Sequence, residues 1–242
     1  MSQQERIFLS AEWRDLVMLN YEVEPELLRE RVPPGTQLDS FDGKTYVSLV
    51  GFRFCRTKLL GLLPVPFHAN FDEVNLRFYV RREQDGGLRR GVVFIAEVVP
   101  RWAIAAVART FYNENYSSHA MRHRVGSSDS VKIAEYEWRI EGRWCGVSAR
   151  AEGAPSQPAE GSVEQFITEH YWGYSMQWAG GSLEYHVAHP PWQVWRAAAA
   201  EFAGDASPLY GAALTDILKR RPDSAFIADG SAVTVSTGRK II

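Results

Sequence analysis

Phe71-Asp-Glu-Val-Asn-Leu-Arg-Phe-Tyr-Val80 is the stretch on which the reading of this chain turns. Polar and apolar residues alternate through it, so Glu73, Asn75, Arg77 and Tyr79 share one face of a strand and Val74, Leu76, Phe78 and Val80 the other. Two arrangements satisfy the pattern. In one, the strand lies at a surface and its polar face meets water. In the other, that face points into a barrel lumen, where a carboxylate, an amide, a guanidinium and a phenol about 6.6 to 7 Å apart line a polar pocket able to orient a small acid. The alternation leaves both open.

The neighbouring sequence reads mostly as strands broken by turn residues. Asp85-Gly86-Gly87 turns the chain back into a strand over Arg90 to Val99. Upstream, Leu16 to Val23 places Val17, Leu19, Tyr21 and Val23 on one face, and Pro25 opens a short helix to about Arg31, ended by Pro33-Pro34-Gly35. Asp42-Gly43, between Thr36 to Phe41 and Lys44 to Arg56, is the strongest hairpin signal. Downstream, Trp102 to Tyr112 has helical spacing, and Val131 to Ile140 with Arg143 to Ala151 forms a hairpin at Glu141-Gly142. Ser162 caps a helix from Val163 to about His170, and Tyr174 to Trp178 with Leu183 to His189 flank a turn at Gly180-Gly181. Gly211 to Arg220 reads as helix and Ala232 to Thr237 as strand. Trp192 to Phe202 carries the alanine run Ala197 to Ala200, but its prolines, Trp192 and Val194 favour a strand. The fold class predicted is mainly β (α+β), an antiparallel barrel or strongly curved sheet with a few short helices, as one domain over 1–242.

Composition narrows the function classes. With 27 basic and 29 acidic residues among 242, the net charge of -2 gives no field that would mark a nucleic-acid or anionic-membrane binder. No run approaches the roughly 18 apolar residues of a spanning helix, and Met1 to Arg6 lacks the pattern of an export signal. A cytoplasmic protein is expected, with Cys55 and Cys145 as reduced thiols. Only five of the basic residues are lysine: Lys44, Lys58, Lys132, Lys219 and Lys240. Eight tryptophans, several of them between Trp172 and Trp195, either enter the core or form a surface for a homo-oligomer.

Other candidate groups are sparse. Arg109, at the end of the mid-chain helix, is either a surface cation at a helix C-terminus or an anion receptor turned inward. His119 and His123 are four apart, but no third ligand is predictable, so no metal is expected. His189, in the rigid His189-Pro-Pro-Trp192, is either a structural corner or an active-site acid or base. No phosphate loop, dinucleotide fingerprint or Gly-x-Ser-x-Gly elbow is present, and no cofactor is predicted.

Taken in order, several segments are similar to the uncharacterised YqjF-like family of the acetoacetate decarboxylase-like superfamily. They are Trp13, Tyr21 with Pro25-Glu-Leu-Leu28, Val32-Pro-Pro-Gly35 with Leu38-Asp39, Asp42-Gly43 before Tyr46 to Phe52, the Glu73 strand, Phe166 to Tyr171 and His189-Pro-Pro-Trp192. The resemblance implies a cone-shaped barrel around a central cavity, with Glu73, Asn75 and Arg77 facing inward. The decarboxylases that name the superfamily attack a β-keto acid with a lysine of lowered pKa, forming a Schiff base. Their paired lysines correspond here to the segment Arg109 to Ser118, which reads Asn115-Tyr-Ser-Ser118 and has none. Amine-catalysed decarboxylation is therefore not expected unless Lys58 or Lys132 reaches the cavity.

The function expected is a barrel cavity that binds a small organic acid or similar metabolite, through Asn75, Arg77, Tyr79 and Arg109. The alternative is a lysine-independent lyase or isomerase acting on a small carboxylate, with Glu73 as base and Tyr116 or His189 as acid.

Overall fold

The computed structural model describes residues 6–60, 63–64, 69–84, 86–101, 115–128 and 130–242. The predicted mid-chain helix, Trp102 to Tyr112, and Arg109 lie outside them. Fifteen described strands join one hydrogen-bonded sheet. In the first half these are β1 (Ile7–Val23), β2 (Gln37–Leu38), β3 (Thr45–Leu59), β4 (Leu63–Pro64), β5 (Phe71–Gln84), β6 (Gly87–Val99) and β7 (Tyr116–Ser118). The second half adds β8 (Met121–Ser127), β9 (Val131–Ile140), β10 (Arg143–Glu152), β11 (Trp172–Met176), β12 (Ser182–Ala188), β13 (Val194–Ala203), β14 (Ser224–Ser236) and β15 (Arg239–Lys240).

Seven strands close a ring in the order β11, β6, β5, β3, β1, β14, β12, with β12 pairing back to β11. All neighbours in it are antiparallel except β11 and β6, which pair in parallel through Trp172 and Gly173. Closure rests on β14, whose later residues Thr234 and Val235 pair with Ala188 and Val187 of β12. Its earlier residues Phe226, Ile227 and Ala228 pair instead with β13, which leads on to β10, β9 and β8. That four-strand extension folds back against the outside of the ring.

Both faces of the ring wall are consequently buried, and the residue alternation sorts them. Val74, Leu76, Phe78 and Val80 of β5 join Val17, Leu19, Val47 and Leu49 in an outer cluster with Tyr136, Trp138 and Val147 of the extension. On the inward face, Tyr79 packs with Met18, Val50, Phe52, Val92 and Phe166. The helix Val163–Thr168 carries Phe166 and Ile167 to this inner side; Ser162 caps it by accepting the Gln165 N–H at 3.2 Å. No described helix is long and apolar enough to cross a membrane.

Two local expectations need adjustment. Asp42 and Gly43 do form a turn with φ of 49° and 76°, closed by a bridge between Phe41 and Lys44. The preceding arm, however, pairs Gln37 and Leu38 with Arg81 and Val80 of β5 rather than with β3, whose two edges are taken by β1 and β5. The segment after Pro25 is a 3-10 helix, Pro25–Arg31. The alanine run of β13 is strand, as expected, because Ala197, Ala199 and Ala200 pair with β10 and tertiary pairing overrides helix propensity.

Gly51 of β3 is where the extension approaches the ring most closely: a Cβ there would stand 2.7 Å from the Tyr136 ring and 3.0 Å from Val147 Cγ1. The Tyr136 ring is fully buried and its hydroxyl is held by the Asp15 carbonyl at 2.9 Å, so it has no room to give. Gly51→Val is expected to cost about 1 to 3 kcal/mol of stability by overpacking, read as a lowered urea midpoint.

Candidate functional site

The polar face of β5 is inside the ring. Glu73 is 3%, Asn75 2%, Arg77 8% and Tyr79 0% exposed. These groups do not meet water, so each must find a partner within the protein.

At one end of the strand stands a carboxyl group. Asn75 Nδ2 donates to Glu73 Oε1 at 3.0 Å, and the Tyr116 hydroxyl, brought in on β7, donates to Glu73 Oε2 at 3.2 Å. Burial pushes the Glu73 carboxyl up to about 7; the two hydrogen bonds and the charge of Arg77 oppose it without winning. Directly across from Asn75, Glu97 of β6 is 1% exposed and turns to the same side. Glu97 was not among the residues singled out from sequence. Its signal was there: it is one ionisable group within the run Val92-Val-Phe-Ile-Ala-Glu-Val-Val99.

At the other end stands a cation. Arg77 Nε donates to the Tyr79 hydroxyl at 3.4 Å and Nη2 to the Ile167 carbonyl at 3.2 Å, so the short helix helps fix the guanidinium. A directed chain of hydrogen bonds holds Tyr79 in turn. Ser48 gives its one hydroxyl hydrogen to Asn20 Oδ1 at 2.6 Å, so across the 2.6 Å contact between Tyr79 and Ser48 it is Tyr79 that donates. Asn20 Nδ2 donates onward to Ser224 Oγ at 3.0 Å. Arg77 is thus braced through β3, β1 and β14.

Beside Arg77 lies a shelf of rings. His189 stacks on Trp192 with centroids 4.1 Å apart and planes at 16°, and Tyr171 and Trp13 close around it. His189 Nδ1 lies 2.9 Å from the Pro190 carbonyl, which can only accept. The ring is therefore protonated at Nδ1 and offers Nε2 as a lone pair. Burial, with Arg77 adding to it, lowers the imidazole to about 4, so His189 is neutral at physiological pH.

Sequence reasoning also passed over a second buried pair. His170 Nε2 lies 3.4 Å from Asp39 Oδ2, and Arg90 Nε lies 3.2 Å from the same oxygen. Burial tends to raise the Asp39 carboxyl, but His170 and Arg90 outweigh it and hold it below the ordinary range. The His170 ring sits between Tyr79 and Phe166 at 4.6 and 4.9 Å. Asp39 lies beside a turn and His170 just past a helix end, and nothing in the local sequence joins them.

All five lysines are described, and none belongs to the inner cluster. Lys132 lies on the face of β9 that joins the outer cluster, with Nζ 2.5 Å from Asp15 Oδ1. Lys58 and Lys240 are exposed, Lys44 pairs with Glu22 and Lys219 with Asp216. The two open possibilities, Lys58 and Lys132, are thereby answered. His119 and His123, the pair spaced as in a zinc helix, flank and occupy a strand. They bond to the Arg139 carbonyl and to Asp72 respectively, and no described cluster of three or more His, Cys, Asp or Glu could hold a metal.

Residues 10–232 match the family DUF2071, described as an uncharacterized conserved protein. The uncharacterized protein YqjF of Bacillus subtilis (strain 168) is 24% identical over 205 residues, which are 84% of this chain and 82% of that one. Among solved structures, acetoacetate decarboxylase from Legionella pneumophila superposes with a TM-score of 0.65 at 14% identity, covering 97% of this chain and 87% of that one. The enduracididine biosynthesis enzyme MppR complexed with pyruvate gives a TM-score of 0.66 at 14% identity, over 99% and 91% of the two chains. These likenesses show the acetoacetate decarboxylase-like fold.

The raised Glu73 carboxyl has a consequence for stability. A carboxyl that holds its proton more tightly folded than unfolded favours the folded state below about 4.5, and that contribution is lost as pH rises to about 7. Glu73→Gln keeps an uncharged group at the position. Between pH 5 and 8 the melting temperature of the wild type is expected to fall relative to that of Glu73→Gln. Parallel curves would show that Glu73 ionises with an ordinary pKa.

Proposed function

The chain belongs to the DUF2071 family, and from that premise we propose that it binds a small organic acid inside the strand ring, with Arg77 as the receptor for the carboxylate. One observation carries the reading. Arg77 is almost fully buried on the inner face, with Nε and Nη2 engaged by Tyr79 and Ile167, while Nη1 has no hydrogen-bond partner among the described residues. A guanidinium held in this way can offer its remaining N–H groups to a carboxylate in a setting where charge-assisted bonds are strong. A pyruvate complex of the fold neighbour MppR supports the ligand class. Asn75 and Tyr79 complete the polar lining, and Arg109 serves as a second cation. The free thiols of Cys55 and Cys145 suit the cytoplasmic location expected from sequence.

A second reading, favoured by the raised carboxyl, makes the protein a lyase or isomerase that works without an amine. Glu73 near pKa 7 is poised to take a proton from carbon next to a carbonyl, and Tyr116, 3.2 Å away, to return one. His189 fits this scheme as a hydrogen-bond acceptor through Nε2, since a neutral imidazole whose Nδ1–H is already engaged is no acid.

Pyruvate and acetoacetate are expected to raise the melting temperature of the wild type and not of Arg77→Met. Shifts that survive in the variant would remove Arg77 from the site. For the second reading, the methyl protons of pyruvate in D2O are expected to exchange faster with wild type than with buffer, and no faster than buffer with Glu73→Gln. Equal exchange by both proteins would dismiss Glu73 as the base.

A further inference from the structure

We infer that the outer face of the ring carries a second, separate anion site: Arg82, Arg89 and Arg239 form a cationic nest for a phosphate dianion, either inorganic phosphate or the phosphoryl end of a small monoester. The site does not depend on the acid-binding reading of Arg77. Arg82 follows Leu76, Phe78 and Val80 at the same spacing along β5 and so leaves the wall on its outer side, whereas Arg77 faces inward.

The charges here do not balance. Arg82 and Arg89 stand directly opposite each other in the ladder between β5 and β6, a like-charge pairing that costs stability unless something offsets it. Arg239 is brought in on β15, opposite Glu184 of β12. All three converge on the one Glu184 carboxylate: Arg82 Nη1 is 2.9 Å from Oε2, and Arg89 Nη1 and Arg239 Nη2 are 2.5 and 2.8 Å from Oε1. The Tyr174 hydroxyl adds a further donor to Oε2 at 3.0 Å. Burial tends to raise the Glu184 carboxyl, but the arginines and Tyr174 outweigh it and hold it below the ordinary range, so it sets one negative charge against three positive ones. Among the described residues no second acid pairs with the three arginines; Glu83, the acid next to Arg82, is on the opposite face of β5. Two positive charges are left over, on side chains 17%, 23% and 54% exposed, open enough for a small ion to reach and sheltered enough to be screened incompletely. N–H groups are left over as well. Arg82 and Arg89 engage only Nη1, and Arg239 only Nε and Nη2, so each keeps at least one nitrogen without a hydrogen-bond partner among the described residues. Gln84 accepts from Arg82 and Arg239, and Arg89 lies over the Trp172 ring at 4.1 Å, so the cations are held in place before an anion arrives. A dianion with three or more acceptor oxygens matches both the surplus charge and the spare N–H groups, and bonds from a guanidinium fork to phosphate are among the strong ones.

Calorimetric titration of the whole protein at pH 8 and constant ionic strength tests this with inorganic phosphate, methyl phosphate and dimethyl phosphate. The first two are mainly dianions there and the third is a monoanion. Inorganic phosphate, methyl phosphate or both are expected to bind at one site, tenfold or more tightly than dimethyl phosphate, and tenfold or more weakly to Arg239→Gln than to the wild type. In Arg77→Met the affinity is expected to be unchanged, which separates this site from the inner one. No saturable binding, equal affinity for methyl and dimethyl phosphate, or an affinity unchanged in Arg239→Gln overturns the inference. Loss of phosphate binding in Arg77→Met overturns it too, by assigning the anion to the inside of the ring. The comparison of the three probes needs only the wild type, so it decides the matter even where a variant fails to fold.

Discussion

Two residue pairs of β12 and β14 turn a strip of sheet into an enclosure, and the chemistry of the interior follows from that closure. Once Val187 and Ala188 are bonded to Val235 and Thr234, the inward face of β5 has no route to bulk solvent along the sheet edge. Charged groups on that face then have to be satisfied within the protein or else change their protonation. Both responses occur. Arg77 is braced by a run of hydrogen bonds that crosses four strands to Ser224, all donated in one direction, whereas Glu73 keeps its proton to about neutral pH. The extension β13, β10, β9 and β8 covers the other face of the same wall, so the wall is fixed from both sides and its inner groups are held rigidly.

The interior is polarised along one strand. The Glu73 carboxyl, held by Asn75 and Tyr116, lies toward the β7 end, and the Arg77 cation lies toward the helix that carries Phe166 and Ile167. The five lysines are spent on surface pairs, on solvent or, for Lys132, on Asp15 in the outer cluster. Shared architecture with acetoacetate decarboxylase shows the fold and leaves the reaction to be argued from the site.

Much of this was legible in sequence because strand alternation is strict. The period of two in Phe71 to Val80 correctly separated Glu73, Asn75, Arg77 and Tyr79 from Val74, Leu76, Phe78 and Val80. Periodicity could not say which set faced inward, since a wall buried on both faces carries no hydrophobic contrast with water; the family resemblance supplied the direction. Hairpins with glycine at the turn, such as that at Glu141-Gly142, were readable because positive φ is a local demand. Partners distant in sequence were not. Gln37 and Leu38 pair with β5 because β3 has no free edge, and Asp39 meets His170 only when the helix is seated. Glu97 carries a local signal as the one ionisable residue of the apolar run Val92 to Val99, the later part of a strand whose opening residues include Arg89 and Arg90.

The most direct test of the enclosed acid site is a crystal structure of the protein soaked with pyruvate. The account requires the pyruvate carboxylate to lie inside the ring within hydrogen-bond distance of Arg77, with its carbonyl carbon bonded to no lysine. Pyruvate joined to a lysine amine, or bound outside the ring with Arg77 untouched, would contradict it.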